Sequence, residues 1–230
     1  MLRPLLILDF DGTLCLGDGP VRAYGLEVAR EAGRDPREIA EALDGFFGVA
    51  GDVGELGGTP DGYTAVARWG RARGLDEMAL GRAFLRSRPA VERGDVPVYA
   101  PEGAVDLLDQ WRQFDRVLVT NAPQLGTEVL VERLGLRGVL DDIMGDAAQP
   151  AGLSRMLAPG GALEAEHRPL IVSVGDIWVN DLAPVAGLSG ITGLIERHPQ
   201  VDATPTVRAG DIQQVFEGLG AFRDGDSDES

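Results

Sequence analysis

Hydrophobic residues occur along this chain in two kinds of pattern. Leu5-Leu6-Ile7-Leu8 is a solid apolar block that runs straight into Asp9 and the turn-forming pair Asp11-Gly12. An unbroken apolar run closed by a turn predicts a strand buried on both faces. Residues 117–119, 170–174 and 191–195 repeat that pattern, with intervening segments long enough for helices. Between them, residues 102–114 carry Val105, Leu108 and Trp111, and residues 127–134 carry Val129, Leu130 and Leu134, at helical spacing. Strand alternating with helix predicts an α/β fold, a Rossmann-like parallel sheet core with helices on both faces.

Residues 17–96 break this rhythm. They hold no convincing buried strand, and residues 28–41, 63–73 and 77–88 have helical composition. Residues 48–62 contain six glycines and are expected to form a mobile loop. The expected organisation is a core of residues 1–16 and 97–223 with an inserted helical unit, 17–96. Residues 224–230 have no apolar side chain and four acids, which predicts a disordered acidic tail.

Composition narrows the chemistry. All 21 basic side chains are arginine, against 37 acids, for a formal charge of -16. With no lysine, Schiff-base catalysis and a lysine-bearing Walker loop are excluded. An acidic surface argues against nucleic acid or an anionic membrane as partner. Cys15 has no second cysteine to pair with, and His167 and His198 are too few for a His/Cys zinc site. A reducing, cytoplasmic setting is expected, because the four-residue apolar block is too short for a signal peptide or a membrane span.

Three motifs follow predicted strands, at the end where open parallel sheets bind ligands. Asp9-Phe10-Asp11-Gly12-Thr13 places two carboxylates two residues apart, a repulsive arrangement unless a cation offsets it. Thr120-Asn121 supplies neutral donors for phosphoryl oxygens without competing for a metal, although before Pro123 it also suits an ordinary turn. Asp176 and Asp181 are spaced to meet Asp9 and hold a hard cation such as Mg2+, and Asp181 also suits a helix cap.

With these residues the chain resembles the haloacid dehalogenase-like (HAD) hydrolase superfamily, phosphatase type, with residues 17–96 in the place of a helical (C1-type) cap. Asp9 and Asp11 match the first motif, Thr120 and Asn121 the second, and Gly175-Asp176 with Asp181 the fourth. The resemblance implies that Asp9 is the nucleophile forming an aspartyl-phosphate, and that Asp11 is the general acid and base. It implies a Mg2+ ion held by the Asp9 carboxylate, the Asp11 backbone carbonyl and Asp176, with Asp181 acting through water or in support. Thr120 and Asn121 would orient the phosphoryl group. The dehalogenating branch of the family lacks the second aspartate, so Asp11 favours phosphorus chemistry.

The third motif departs from the family pattern. Gln149 takes the position where a lysine is usual, and Arg155 is expected to reach back in its place, the alternative being an exposed helix arginine. Seven arginines between residues 68 and 93 are expected either to form a solvated helix face or to lend one or two contacts to an anionic substrate. The expected activity is Mg2+-dependent hydrolysis of a small phosphorylated metabolite by a monomer or homodimer. The alternatives are a non-catalytic HAD-like protein that binds a phosphorylated ligand or partner, and a phosphomutase.

Overall fold

A computed structural model describes residues 2–48 and 54–224. Six parallel strands form one sheet: β1 (Leu5–Leu8), β2 (Asp115–Val119), β3 (Asp142–Met144), β4 (Ile171–Gly175), β5 (Ile191–Ile195) and β6 (Val207–Ala209), in the order β3-β2-β1-β4-β5-β6. All four residues of β1 are buried, as its solid apolar block requires. Leu5 and Ile7 pack with Val117, Val119, Leu153 and Leu157 on one face. Leu6 and Leu8 point to the other face by strand alternation and are equally buried. There, Leu8 lies in register with Val174, which in turn faces Gly193. A Cβ on Gly193 would lie 2.4 Å from Val215, so the missing side chain lets α9 (Ile212–Gly218) approach the sheet.

The order of strands reverses at β1 and β4: β2 and β3 extend the sheet one way, β5 and β6 the other. Such a switch opens a crevice at the carboxyl ends of the two strands. Asp9 follows β1 and Asp176 follows β4, so both acids lie there.

The chain divides into two compact units, Met1–Leu16 with Ala100–Ser230, and Gly17–Tyr99. The second unit consists of α1 (Gly19–Glu31), α2 (Pro36–Phe47), α3 (Gly62–Arg71) and α4 (Glu77–Arg93) around a core that includes Val28, Leu43, Val66 and Trp69. The single helix expected over 28–41 is two. Gly33 adopts a left-handed φ of 63°, and the Asp35 side chain accepts from the Arg37 amide to cap α2, whose first residue is Pro36. Conversely, α4 runs on through Pro89 to Arg93, where Gly94 closes it in the left-handed region.

The arginine-rich stretch is neutralised within its own unit. Arg71 pairs with Glu77, Arg73 with Glu55, Arg82 with Glu31, Arg86 with Glu27 and Glu31, and Arg93 with Asp95. Arg68 caps the carbonyls of Glu55 and Gly57. Arg88 is buried, beside the Phe84 ring and the Tyr63 hydroxyl. Of the glycine-rich segment, residues 49–53 lie outside the described residues, and Gly54–Leu56 forms one 3-10 turn. The acidic tail likewise lies outside them except for Asp224, the last residue of α10 (Gly220–Asp224). Among the described residues no helix is long and apolar enough to cross a membrane.

Candidate active site

The first motif is a tight turn. The Phe10 carbonyl accepts from the amides of Thr13, Leu14 and Cys15, and Gly12 donates to the Cys15 carbonyl. Gly12 has φ 90°, and a Cβ there would lie 2.1 Å from Asp176 Oδ2. Only glycine allows the first and fourth motifs to close on each other in this way.

Carboxylate oxygens of Asp9, Asp176 and Asp181 lie within 4.8 Å of one another, the arrangement anticipated for a hard cation. Asp181 comes from a single π turn, Trp178–Leu182, which leads into α8 (Ala183–Ala186). Three bonds fix it: its Oδ2 accepts from the Ile177 amide at 2.9 Å, its Oδ1 from Gln149 Nε2 at 3.2 Å, and its carbonyl from the Ser173 hydroxyl at 2.8 Å. No side chain caps α8, so of the two roles expected for Asp181 the structure shows its place in the acidic cluster and not a helix cap. Asp11 is not one of the three clustered carboxylates.

Burial, and next the neighbouring charge of Asp181, hold the Asp9 carboxyl well above its ordinary range, with a smaller push from Asp11. Asp9 Oδ2 is buried without a hydrogen-bond partner. An orphaned oxygen in a nest of carboxylates is a donor set suited to a divalent hard cation, whose charge would offset both the burial and the repulsion. The residues present thus fit a divalent hard cation, for which Asp9, Asp176 and Asp181 are the candidate side-chain ligands.

On the other side of β1, Thr120 is buried at the end of β2, and its Oγ1 accepts from the Ala122 amide at 3.2 Å. Asn121 is exposed, and its Oδ1 accepts from the Gln149 backbone amide at 2.6 Å. That bond commits the carbonyl end of the Asn121 amide to the loop and leaves Nδ2 as the donor for a ligand. Gln149 therefore bridges the second and fourth motifs with its backbone and its side chain respectively. Its loop follows β3 and is tied to the second motif by the Asp146 amide on the Ala122 carbonyl and the Ala147 amide on that of Thr120.

The structure does not bring Arg155 to this cluster. On α7 (Ala151–Leu157) the residues Leu153 and Leu157 pack into the core. A residue two positions from each projects from the opposite side of a helix, and Arg155 is accordingly exposed. A basic residue that does meet the cluster is Arg197, whose Nη1 is 3.6 Å from Asp176 Oδ2. The sequence motifs end with the loop after β4 and pass it over, although Glu196-Arg197 follows the apolar run of β5 directly. Gln200, equally unforeseen, donates from Nε2 to the Asp176 carbonyl at 2.7 Å and accepts from the Trp178 amide at 2.8 Å.

No protein-family model and no curated protein matches the chain. Solved structures do. A haloacid dehalogenase-like hydrolase from Streptococcus pneumoniae aligns over 96% of this chain and 98% of its own, with a TM-score of 0.62 and 16% identity. A putative HAD-hydrolase from Bacillus subtilis, bound to magnesium, aligns over 96% and 100%, with a TM-score of 0.55 and 18% identity. The L-2-haloacid dehalogenase RSc1362 aligns over 96% and 100%, with a TM-score of 0.53 and 17% identity. This chain has the fold of the haloacid dehalogenase-like hydrolases.

Proposed function

We propose that the protein is a Mg2+-dependent phosphoric monoester hydrolase acting on a small phosphorylated metabolite in the cytoplasm, with the helical unit as its cap. The observation that carries this reading is the clustering of Asp9, Asp176 and Asp181 at the switch point of the sheet, with Asp11 two residues beyond Asp9. Mg2+ held by Asp9, Asp176, Asp181 and the Asp11 carbonyl would neutralise charge on the phosphoryl oxygens.

The Asp9 carboxylate attacks phosphorus, forming an acyl-phosphate bond as the ester oxygen departs. Asp11 gives that oxygen its proton and then, as a carboxylate, takes one from water. The water attacks phosphorus, releasing orthophosphate and regenerating Asp9. Thr120 and the Nδ2 of Asn121 orient the phosphoryl group. The fold also serves a dehalogenase, and Asp11 is what favours phosphorus over carbon here, since the dehalogenating branch that the chain resembles lacks it.

The test is turnover of p-nitrophenyl phosphate and a panel of phosphorylated metabolites, in Mg2+ and in EDTA. Turnover is expected in Mg2+ only, and Asp9→Asn is expected to abolish it. Gln149 in place of a cation favours a second reading, a phospho-ligand-binding protein without turnover. Absence of Mg2+-dependent hydrolysis across a broad panel would select it.

A further inference from the structure

We infer that Arg197 is an anion-binding residue of this site, meeting a phosphoryl oxygen with the positive charge that Gln149 cannot supply. The inference rests on the phosphoryl reading above, and it assigns the charge to the end of β5, where no motif pointed.

Arg197 stands two residues past the last residue of β5, at the same carboxyl edge of the sheet as Asp9 and Asp176 and beside the strand that carries Asp176. Its Nη1 is 3.6 Å from Asp176 Oδ2, inside the ion-pair range but well beyond the 2.7–2.9 Å typical of a charge-assisted hydrogen bond. Asp176 therefore attracts the guanidinium without saturating it. Arg197 has no hydrogen bond to any described residue, whereas Arg3, Arg116, Arg168 and Arg208 spend theirs on carbonyls and carboxylates. Its side chain is 39% exposed, so the guanidinium is accessible to a ligand.

The backbone that carries it is built in place. The Gln200 amide donates to Glu196 Oε1 at 2.9 Å, and the Glu196 carboxylate also pairs with Arg208 on β6. Gln200 then ties the segment to the Asp176–Trp178 backbone through two bonds. The loop after β5 is thus clasped to the fourth motif, and Arg197 is its outward cation. The other candidates do not serve: Gln149 is neutral and engaged with Asp181 and Asn121, and Arg155 projects away on α7. A planar guanidinium fork matches two phosphoryl oxygens at once, a geometry that an ammonium lacks.

The experiment is calorimetric titration of the full chain with orthophosphate in Mg2+, and separately with Mg2+ alone, for the wild type, Arg197→Gln and Arg197→Lys. Arg197→Gln is expected to weaken orthophosphate about tenfold, as loss of a charge-assisted contact does. Arg197→Lys is expected to recover part of that affinity, with the Mg2+ affinity of all three within about threefold. Unchanged orthophosphate affinity in Arg197→Gln together with tighter Mg2+ binding would overturn the inference and make Arg197 a counter-charge for Asp176. Failure of the wild type to bind orthophosphate would overturn it as well. Orthophosphate binding that depends on Arg197 in a protein without turnover would sustain it while removing the hydrolase reading.

Discussion

Asp9→Asn is the substitution for which the structure gives the clearest energetic expectation. Two charges 4.8 Å apart, the outer limit of the separations in the Asp9, Asp176 and Asp181 group, repel by about 3.5 kcal/mol at an effective dielectric near 20. Asparagine keeps the shape of Asp9 and removes its two repulsive pairs. The upward-shifted titration of Asp9 lets protonation relieve part of that repulsion, so the gain is smaller than the repulsion, about 2 kcal/mol, or roughly 4–8 °C in unfolding midpoint for a chain of this size.

The pH dependence has a definite sign. The folded carboxyl of Asp9 titrates above its ordinary value of 3.8, so its contribution to wild-type stability is intact below that value and is lost as pH rises through the raised one. An asparagine in its place would carry no such loss, and the gap between the two proteins therefore widens with pH. Calorimetric unfolding in EDTA at pH 5 and pH 8 measures it, and Mg2+ should narrow or invert the gap by stabilising the wild type. A variant no more stable than the wild type in EDTA at pH 8, or a gap larger at pH 5 than at pH 8, would refute the reasoning.

Gly12→Ala forces a Cβ into Asp176 from a left-handed backbone; it is expected to lower the unfolding midpoint by several degrees and to weaken Mg2+ at least tenfold, read by calorimetry. Gln149→Ala deletes the bond to Asp181 but keeps the backbone bond to Asn121, so a stability loss of about 1 kcal/mol in EDTA is expected in chemical denaturation. Arg155→Ala, on the solvent side of α7, is expected to leave p-nitrophenyl phosphate turnover within about twofold of the wild type, and a tenfold loss would show that this face takes part in the site.

The strands at the centre of the sheet were legible because a strand buried on both faces is predominantly apolar, and β1, residues 117–119 of β2, β4 and β5 announce themselves in that way. The edge strands β3 and β6 have three residues each, and Asp142 and Arg208 interrupt their patterns. Nothing short of the paired neighbour identifies such a strand. The break between α1 and α2 was written in Gly33 and in the Asp35-Pro36 start signal, and was obscured by helical composition on both sides. The site divides similarly. Asp9, Asp176 and Asp181 were legible from their places at strand ends, and the structure clusters all three. Distance along the chain points to Arg155, but it says nothing of the helix face that residue occupies. Arg197 and Gln200 depend on how two loops meet, a relation that exists only once the sheet has formed.

The placement of β1 also bears on the order of folding. Leu5 pairs with Asp115 on one side and with Ile171 on the other, so the middle strand is synthesised long before either of its neighbours. The four helices of Gly17–Tyr99 draw on contacts close in sequence and can form at once, whereas β1 must wait for two long closures, each entropically costly. Its apolar tetrad is then the stretch most open to wrong partners during synthesis. Asp9, the proposed nucleophile, immediately follows that tetrad, so the segment assigned the chemistry is made before both strands that must hold it in place.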